Sequence, residues 1–200
     1  QNDGQASEYS VIEVTTYRIE SKYSDKRHPD EIKFAKTLEE DLGRRDFTMN
    51  ALALQVKSEG SYRIIDLFSG QDDLKHGIIR AVGDPKERFS EDALRMMRAV
   101  RFASTLGFEI ESKTLEAIKK NHGFLQAISK ERVRDEFIKI INSPSADKGV
   151  ELLRETGLLK YVLPELLEGV DVGQNRHHIY NVWEHNLLSL AYAVKQKWSF

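Results

Sequence analysis

The residues best suited to chemistry stand in the stretch SEDALRMMRAVRFA, residues 90–103. Asp92 and Arg95 are three apart, one turn along a shared face if the stretch is helical. An ionised carboxylate only accepts hydrogen bonds and a guanidinium only donates them. Side by side they match an edge that offers an amino group next to a ring-nitrogen acceptor, which is the pairing edge of cytosine and of adenine. Uracil and guanine offer a carbonyl and an N–H at those positions. Each mispaired group in a dry site costs about 1–3 kcal/mol. Arg98 and Arg101 continue the row at i+3 spacing and suit phosphate oxygens. The same stretch also reads as an amphipathic helix with a solvated charged face and internal ion pairs.

A second polar cluster is Arg44-Arg45-Asp46, with Asn50 four residues on. Two arginines at a helix start can hold a triphosphate, because the guanidinium fork and the free N–H groups both face anions. Asp46 and Asn50 can equally be helix punctuation. Residues 66–74, DLFSGQDDL, read as turn chemistry and scaffold. His177, His178 and His185 are the one clustered set of histidines, and they lack nearby carboxylates in the order a metal site needs.

Elements must hold these residues in place. The composition of residues 11–19, VIEVTTYRI, predicts a strand, followed by a charged loop over 22–30 and a short strand over 32–34. A helix is expected from Thr37 to Gly43, a second short helix over 46–54, and strands over 62–67 and 78–82. Gly83-Asp84-Pro85 marks a boundary, after which strand signals stop. Ser90 is the expected N-cap of a single helix over 90–103, with Ala93, Met96, Met97 and Val100 on its apolar side. Further helices are expected over 112–121, 130–142, 145–155 and 179–194, with a linker over 166–175. The pattern is α+β, a small mixed sheet followed by an all-helical part.

Bulk properties narrow the field. The chain has 200 residues, 40% hydrophobic and 31% charged, and a formal net charge of −2, as expected of an ordinary globular protein. The charge is uneven: residues 75–101 hold seven Lys or Arg against four Asp or Glu, a strip able to meet phosphates. There is no cysteine, which excludes disulfides, thiolate metal sites and cysteine nucleophiles and fits a reducing cytoplasm. No apolar run is long enough for a membrane span, so no membrane partner is expected.

Five stretches, in order, carry a resemblance: EVTTYR (13–18), EEDLGRRDFTMNALAL (39–54), IIDLFSGQDDLKHGIIRAVGDP (64–85), EDALRMMRAVRFA (91–103) and ERVRDEF (131–137). Over about residues 11–165 the chain resembles the class II tRNA nucleotidyltransferases (the CCA-adding enzymes) and bacterial poly(A) polymerases. The resemblance implies transfer of C and A from CTP and ATP to the 3′ end of tRNA, with two Mg²⁺ ions held by carboxylates. It implies that Arg45 contacts the triphosphate, that Asp46 and Asn50 organise the pocket near the sugar, and that Asp92 and Arg95 read the base. Arg98 and Arg101 would complete the nucleotide site. Arg132 and Glu136 would brace the reading helix, unless they form an ordinary i,i+4 pair with each other. The implied layout is a nucleotidyltransferase head over 1–83, a helical neck over 84–143, a helical body and linker over 144–173, and the start of an HD-type domain over 174–200, where His185 matches that domain's first histidine. The family's D-x-D strand is not found before residue 11. Glu13 is at best a third carboxylate, no metal site is complete, and the chain reads as truncated at both ends, its carboxylate pair to come from a missing N-terminal segment or a complementary chain. The retained 22–30 loop argues against addition of CC alone.

Overall fold

The computed structural model describes residues 18–21, 31–34, 36–174 and 179–197. Glu13, His177, His178, the 22–30 loop and most of the first expected strand lie outside them. The fold is α+β. Among the described residues the expected small mixed sheet takes the form of three two-stranded ladders. Strand β1 (Arg18–Ser21) pairs antiparallel with β2 (Glu31–Phe34), and β3 (Leu52–Val56) antiparallel with β4 (Tyr62–Asp66). Strand β5 (Ile78–Ile79) pairs parallel with β6 (Glu109–Ile110).

Helix α1 (Leu38–Gly43) starts in a capping box: Glu40 N–H donates to the Thr37 hydroxyl, and Thr37 N–H donates back to the Glu40 carboxylate. The helix expected over 46–54 is not formed. A single 3₁₀ turn, Thr48–Asn50, leads directly into β3. The apolar residues of LALQV satisfy their backbone groups across the hairpin, and the pairing of Leu54 with Ile64 and Val56 with Tyr62 sets the register. Helix α2 (Gly70–His76) follows β4. The expected strand over 78–82 shortens to β5, with Ala81 in an isolated bridge to Phe47. Strand β6 lies beyond the point where strand signals stopped. It was missed because two residues of ladder leave no periodicity.

The helix expected over 90–103 is two helices. Helix α3 (Pro85–Glu91) is capped by Asp84, which accepts from Lys86 and Glu87 N–H. Ser90 is therefore not an N-cap but sits in the last turn of α3, where its hydroxyl donates to the Glu87 carbonyl. Asp92 is extended (φ −140°, ψ 105°), and helix α4 (Leu94–Leu106) begins after it. The break is chemical: the Asp92 carboxylate accepts the Leu94 N–H at 3.0 Å, offering the backbone an alternative to continuing the helix. The apolar stripe lies where its spacing put it, with Ala93, Met96, Met97 and Val100 fully buried.

The body comprises α5 (Ser112–Asn121), α6 (Lys130–Ile141), α7 (Ala146–Glu155), α8 (Leu159–Val162) and α9 (Val182–Lys195). The linker expected over 166–175 opens with a 3₁₀ segment, Pro164–Gly169, and α9 starts three residues later than the spacing suggested. A single cluster of buried apolar residues runs from Phe47 through α4 to Leu153 and Trp183. Phe47 meets Phe102 of α4 edge-to-face at 5.8 Å, so hairpin root and body share one core. Trp183 Nε1 donates to Glu151, which anchors α9 to α7. No described helix is long and apolar enough to cross a membrane.

Candidate functional site

The site is built where the end of α1 meets the α3–α4 break. Helix α1 ends at Gly43 and exposes its last carbonyls. Arg88 donates to the Gly43 carbonyl at 3.0 Å, and Arg95 donates to the Arg44 carbonyl at 3.0 Å. Between the two guanidinium groups lies Glu91, paired with both. Arg95 is 8% exposed and also donates to the Arg88 carbonyl. Its guanidinium is thus fixed by a carboxylate and two backbone carbonyls.

Asp92 has partners of its own. Its Oδ2 accepts from Arg132 of α6 at 2.8 Å, while Oδ1 caps α4. Asp92 and Arg95 are therefore not neighbours on one continuous helix; each is set by different partners on either side of the break. Glu136 accepts from Arg101 at 2.7 Å and from Lys139 at 2.9 Å. Arg132 and Glu136 do not pair with each other. Each ties α6 to the α3–α4 unit, which the i,i+4 reading did not anticipate.

On the head side, Asp46 Oδ1 accepts from Phe47 N–H and Asn50 Nδ2, and Oδ2 accepts from Arg98 at 2.6 Å. Arg98 thus links α4 to the head rather than standing open. Arg101 stacks over Phe102 at 4.1 Å while paired with Glu136. Arg44 holds the buried Asp41 at 2.6 Å. Arg45 makes looser contacts, 3.4 Å to Asp41 and 3.5 Å to the Asn50 carbonyl, and its side chain is 45% exposed. Of the arginines at this corner its side chain is the most exposed.

Residues 66–74 serve as scaffold. Asp66 accepts N–H bonds from Phe68, Gly70 and Gln71. Desolvation alone would raise its pKa, but these bonds, with Gln71 and Gly70 foremost, hold it below the ordinary carboxylate value. Asp73 is buried and accepts from the Thr48 hydroxyl at 2.6 Å and from Arg80. Arg80 also faces Glu111, and its Asp73 bond raises its pKa further. Burial opposes ionisation of Glu111, yet the Thr114 and Lys113 N–H bonds and Arg80 bring its pKa below normal.

Sequence reading gave no individual role to Glu91, Arg88 or Asp41. The i,i+4 spacing of Glu91 to Arg95 was a visible signal for the first. The Gly43 carbonyl partner of Arg88 was not, because it lies 45 residues away. Among the described residues no group of three or more His, Asp or Glu could hold a metal ion.

Two family models match the chain in order. The poly(A) polymerase head domain covers residues 2–80, and the probable RNA- and SrmB-binding site of polymerase A covers residues 107–169. Together these two models span the α+β head and most of the helical region after it. The CCA-adding enzyme of Lactobacillus helveticus is 53% identical over 146 residues, 73% of this chain and 36% of that enzyme. The solved Bacillus stearothermophilus CCA-adding enzyme in complex with CTP is 42% identical with a TM-score of 0.67, over 78% of this chain and 37% of that one. A tRNA nucleotidyltransferase solved with a primer tRNA and an incoming ATP analogue is 33% identical with a TM-score of 0.62, over 80% of this chain and 42% of that one. The chain belongs to the tRNA nucleotidyltransferase and poly(A) polymerase family. It spans little more than a third of the curated relative's length.

Proposed function

We propose that this chain is the nucleotide-selecting part of a template-independent nucleotidyltransferase that adds C and A, from CTP and ATP, to the 3′ end of tRNA. The observation that carries this is the contact between the two polar motifs. Arg95 donates to the Arg44 carbonyl, and Arg98 holds Asp46, so the Arg-Arg-Asp corner and the base-reading segment form one rigid unit. A pre-set unit can discriminate edges, because its donors and acceptors do not reorganise to suit the wrong base.

In this reading Asp92 accepts the amino group of cytosine or adenine, and Arg95 donates to the adjacent ring nitrogen. Each Asp92 oxygen already takes one protein donor and has a second lone pair for the base. Glu91 and the Arg44 and Arg88 carbonyls orient Arg95. Arg45 takes the triphosphate, Asp46 and Asn50 shape the sugar side, and Arg98 and Arg101 complete the nucleotide site by holding Asp46 and Glu136 in place. Arg132 and Glu136 brace α4 against α6. We divide the protein functionally as a head over 1–83, a neck over 84–143, a body over 144–173 and an HD-type region over 174–200. The transfer step in this family uses Mg²⁺. The roles we assign to the named residues are binding, orientation and selection. We place the protein in the cytoplasm, which its lack of cysteine suits.

Calorimetric titration with the four nucleoside triphosphates tests the proposal. CTP and ATP are expected to bind at least tenfold tighter than UTP and GTP, and Asp92→Ala to shrink that ratio below threefold. Equal affinity for all four, or none for any, refutes it. Binding of ATP alone turns the reading toward poly(A) synthesis.

A further inference from the structure

Two arginines grip successive carbonyls at the end of α1. Arg88 Nη1 donates to the Gly43 carbonyl and Arg95 Nη2 to the Arg44 carbonyl, both at 3.0 Å. Glu91 joins them, with Oε1 on Arg88 and Oε2 on Arg95. The result is a closed ring of carbonyl, guanidinium, carboxylate, guanidinium and carbonyl, shut by the peptide between residues 43 and 44. Its side chains are shielded from water: Arg95 is 10% exposed, Arg88 15% and Glu91 28%. Ionised groups at this depth make the stronger kind of hydrogen bond.

A donor count shows what the ring leaves for a ligand. A guanidinium has five N–H groups. Arg95 spends both on Nη1, one to Glu91 and one to the Arg88 carbonyl, and one on Nη2 to the Arg44 carbonyl. Its Nε–H and the second Nη2 N–H remain. A loose guanidinium with two such donors discriminates poorly. It can turn and donate to a carbonyl oxygen of uracil as readily as to the ring nitrogen of cytosine. Selection needs that turn to be blocked. Glu91 helps to block it only while Glu91 is itself held. Its other oxygen is held by Arg88, and Arg88 is anchored in turn on the Gly43 carbonyl.

We propose that Arg88 is a specificity-positioning residue: through Glu91 it locks Arg95, which then meets the ring nitrogen of C or A and cannot turn to a carbonyl of U or G. This rests on the base-reading role proposed above for Asp92 and Arg95. Calorimetry with CTP and UTP tests it on the parent, Arg88→Met, Glu91→Gln and the double variant, with circular dichroism and urea melting to confirm folding. Arg88→Met is expected to weaken CTP about threefold and to leave UTP unchanged or tighter, so that the CTP-to-UTP affinity ratio falls at least threefold. Glu91→Gln, which keeps the side-chain shape, is expected to lower the ratio as much or more, and it carries the test if Arg88→Met does not fold. The double variant should fall no further than Glu91→Gln, because the two residues act in one chain. A ratio kept in the folded single variants overturns the proposal. So does an equal loss for CTP and UTP, which would make Arg88 scaffold only, and so do additive losses in the double variant. A parent that binds CTP and UTP alike removes the base-reading role itself, and this inference with it.

Discussion

At the residue scale the molecule depends on arginines whose carboxylate partners lie on other elements. Arg101 and Glu136 illustrate the energetics. Glu136 is 4% exposed, so removal of Arg101 leaves a buried carboxylate with only Lys139 beside it. Arg101→Ala is expected to cost about 3 kcal/mol in urea unfolding, most of it the stranded charge. Arg101→Met combined with Glu136→Leu should recover most of that loss, since no charge is then left buried. Asp66 sets a pH dependence. Its folded pKa is depressed, so its contribution is complete above the ordinary carboxylate value of about 4 and is lost as pH falls through the lower folded value. Thermal melts from pH 6 downward should show a decline that is shallower in Asp66→Asn.

At the element scale, the decisive features are two short interruptions. The α3–α4 break places Asp92 between a cap and Arg132, and the 3₁₀ turn at Thr48–Asn50 turns the chain from the arginine corner into β3. Gly70 fixes the second. A Cβ there would lie 2.2 Å from the Thr48 carbonyl oxygen, so α2 can approach the 3₁₀ turn only with glycine. Gly70→Ala is expected to destabilise by about 3 kcal/mol, read from the urea midpoint, because the obstacle is backbone.

At the scale of the whole molecule, hairpin root and helical body share one apolar core from Phe47 to Trp183. The two family-model regions should therefore not melt separately. Circular dichroism and amide exchange at Phe47 and at Leu153 are expected to report a single unfolding transition. Two separated transitions would show that the Phe47–Phe102 contact does not couple them.

The sequence by itself determined the order of head and helices, the apolar stripe of α4 and the motifs that carry the family. These depend on local periodicity and residue type, which are written along the chain. Only the tertiary structure decided that Asp92 breaks a helix, that 46–54 becomes a turn and a strand, and that Arg98, Arg101, Arg132 and Glu136 pair across elements. The cross-element ion pairs join residues 35 to 52 apart, such as Arg101 with Glu136 and Arg98 with Asp46, and the fate of 46–54 depends on its hairpin partner over 62–66. A charge in a sequence shows what it can pair with, but its partner is chosen by which elements pack, and that packing is settled by burial of the core.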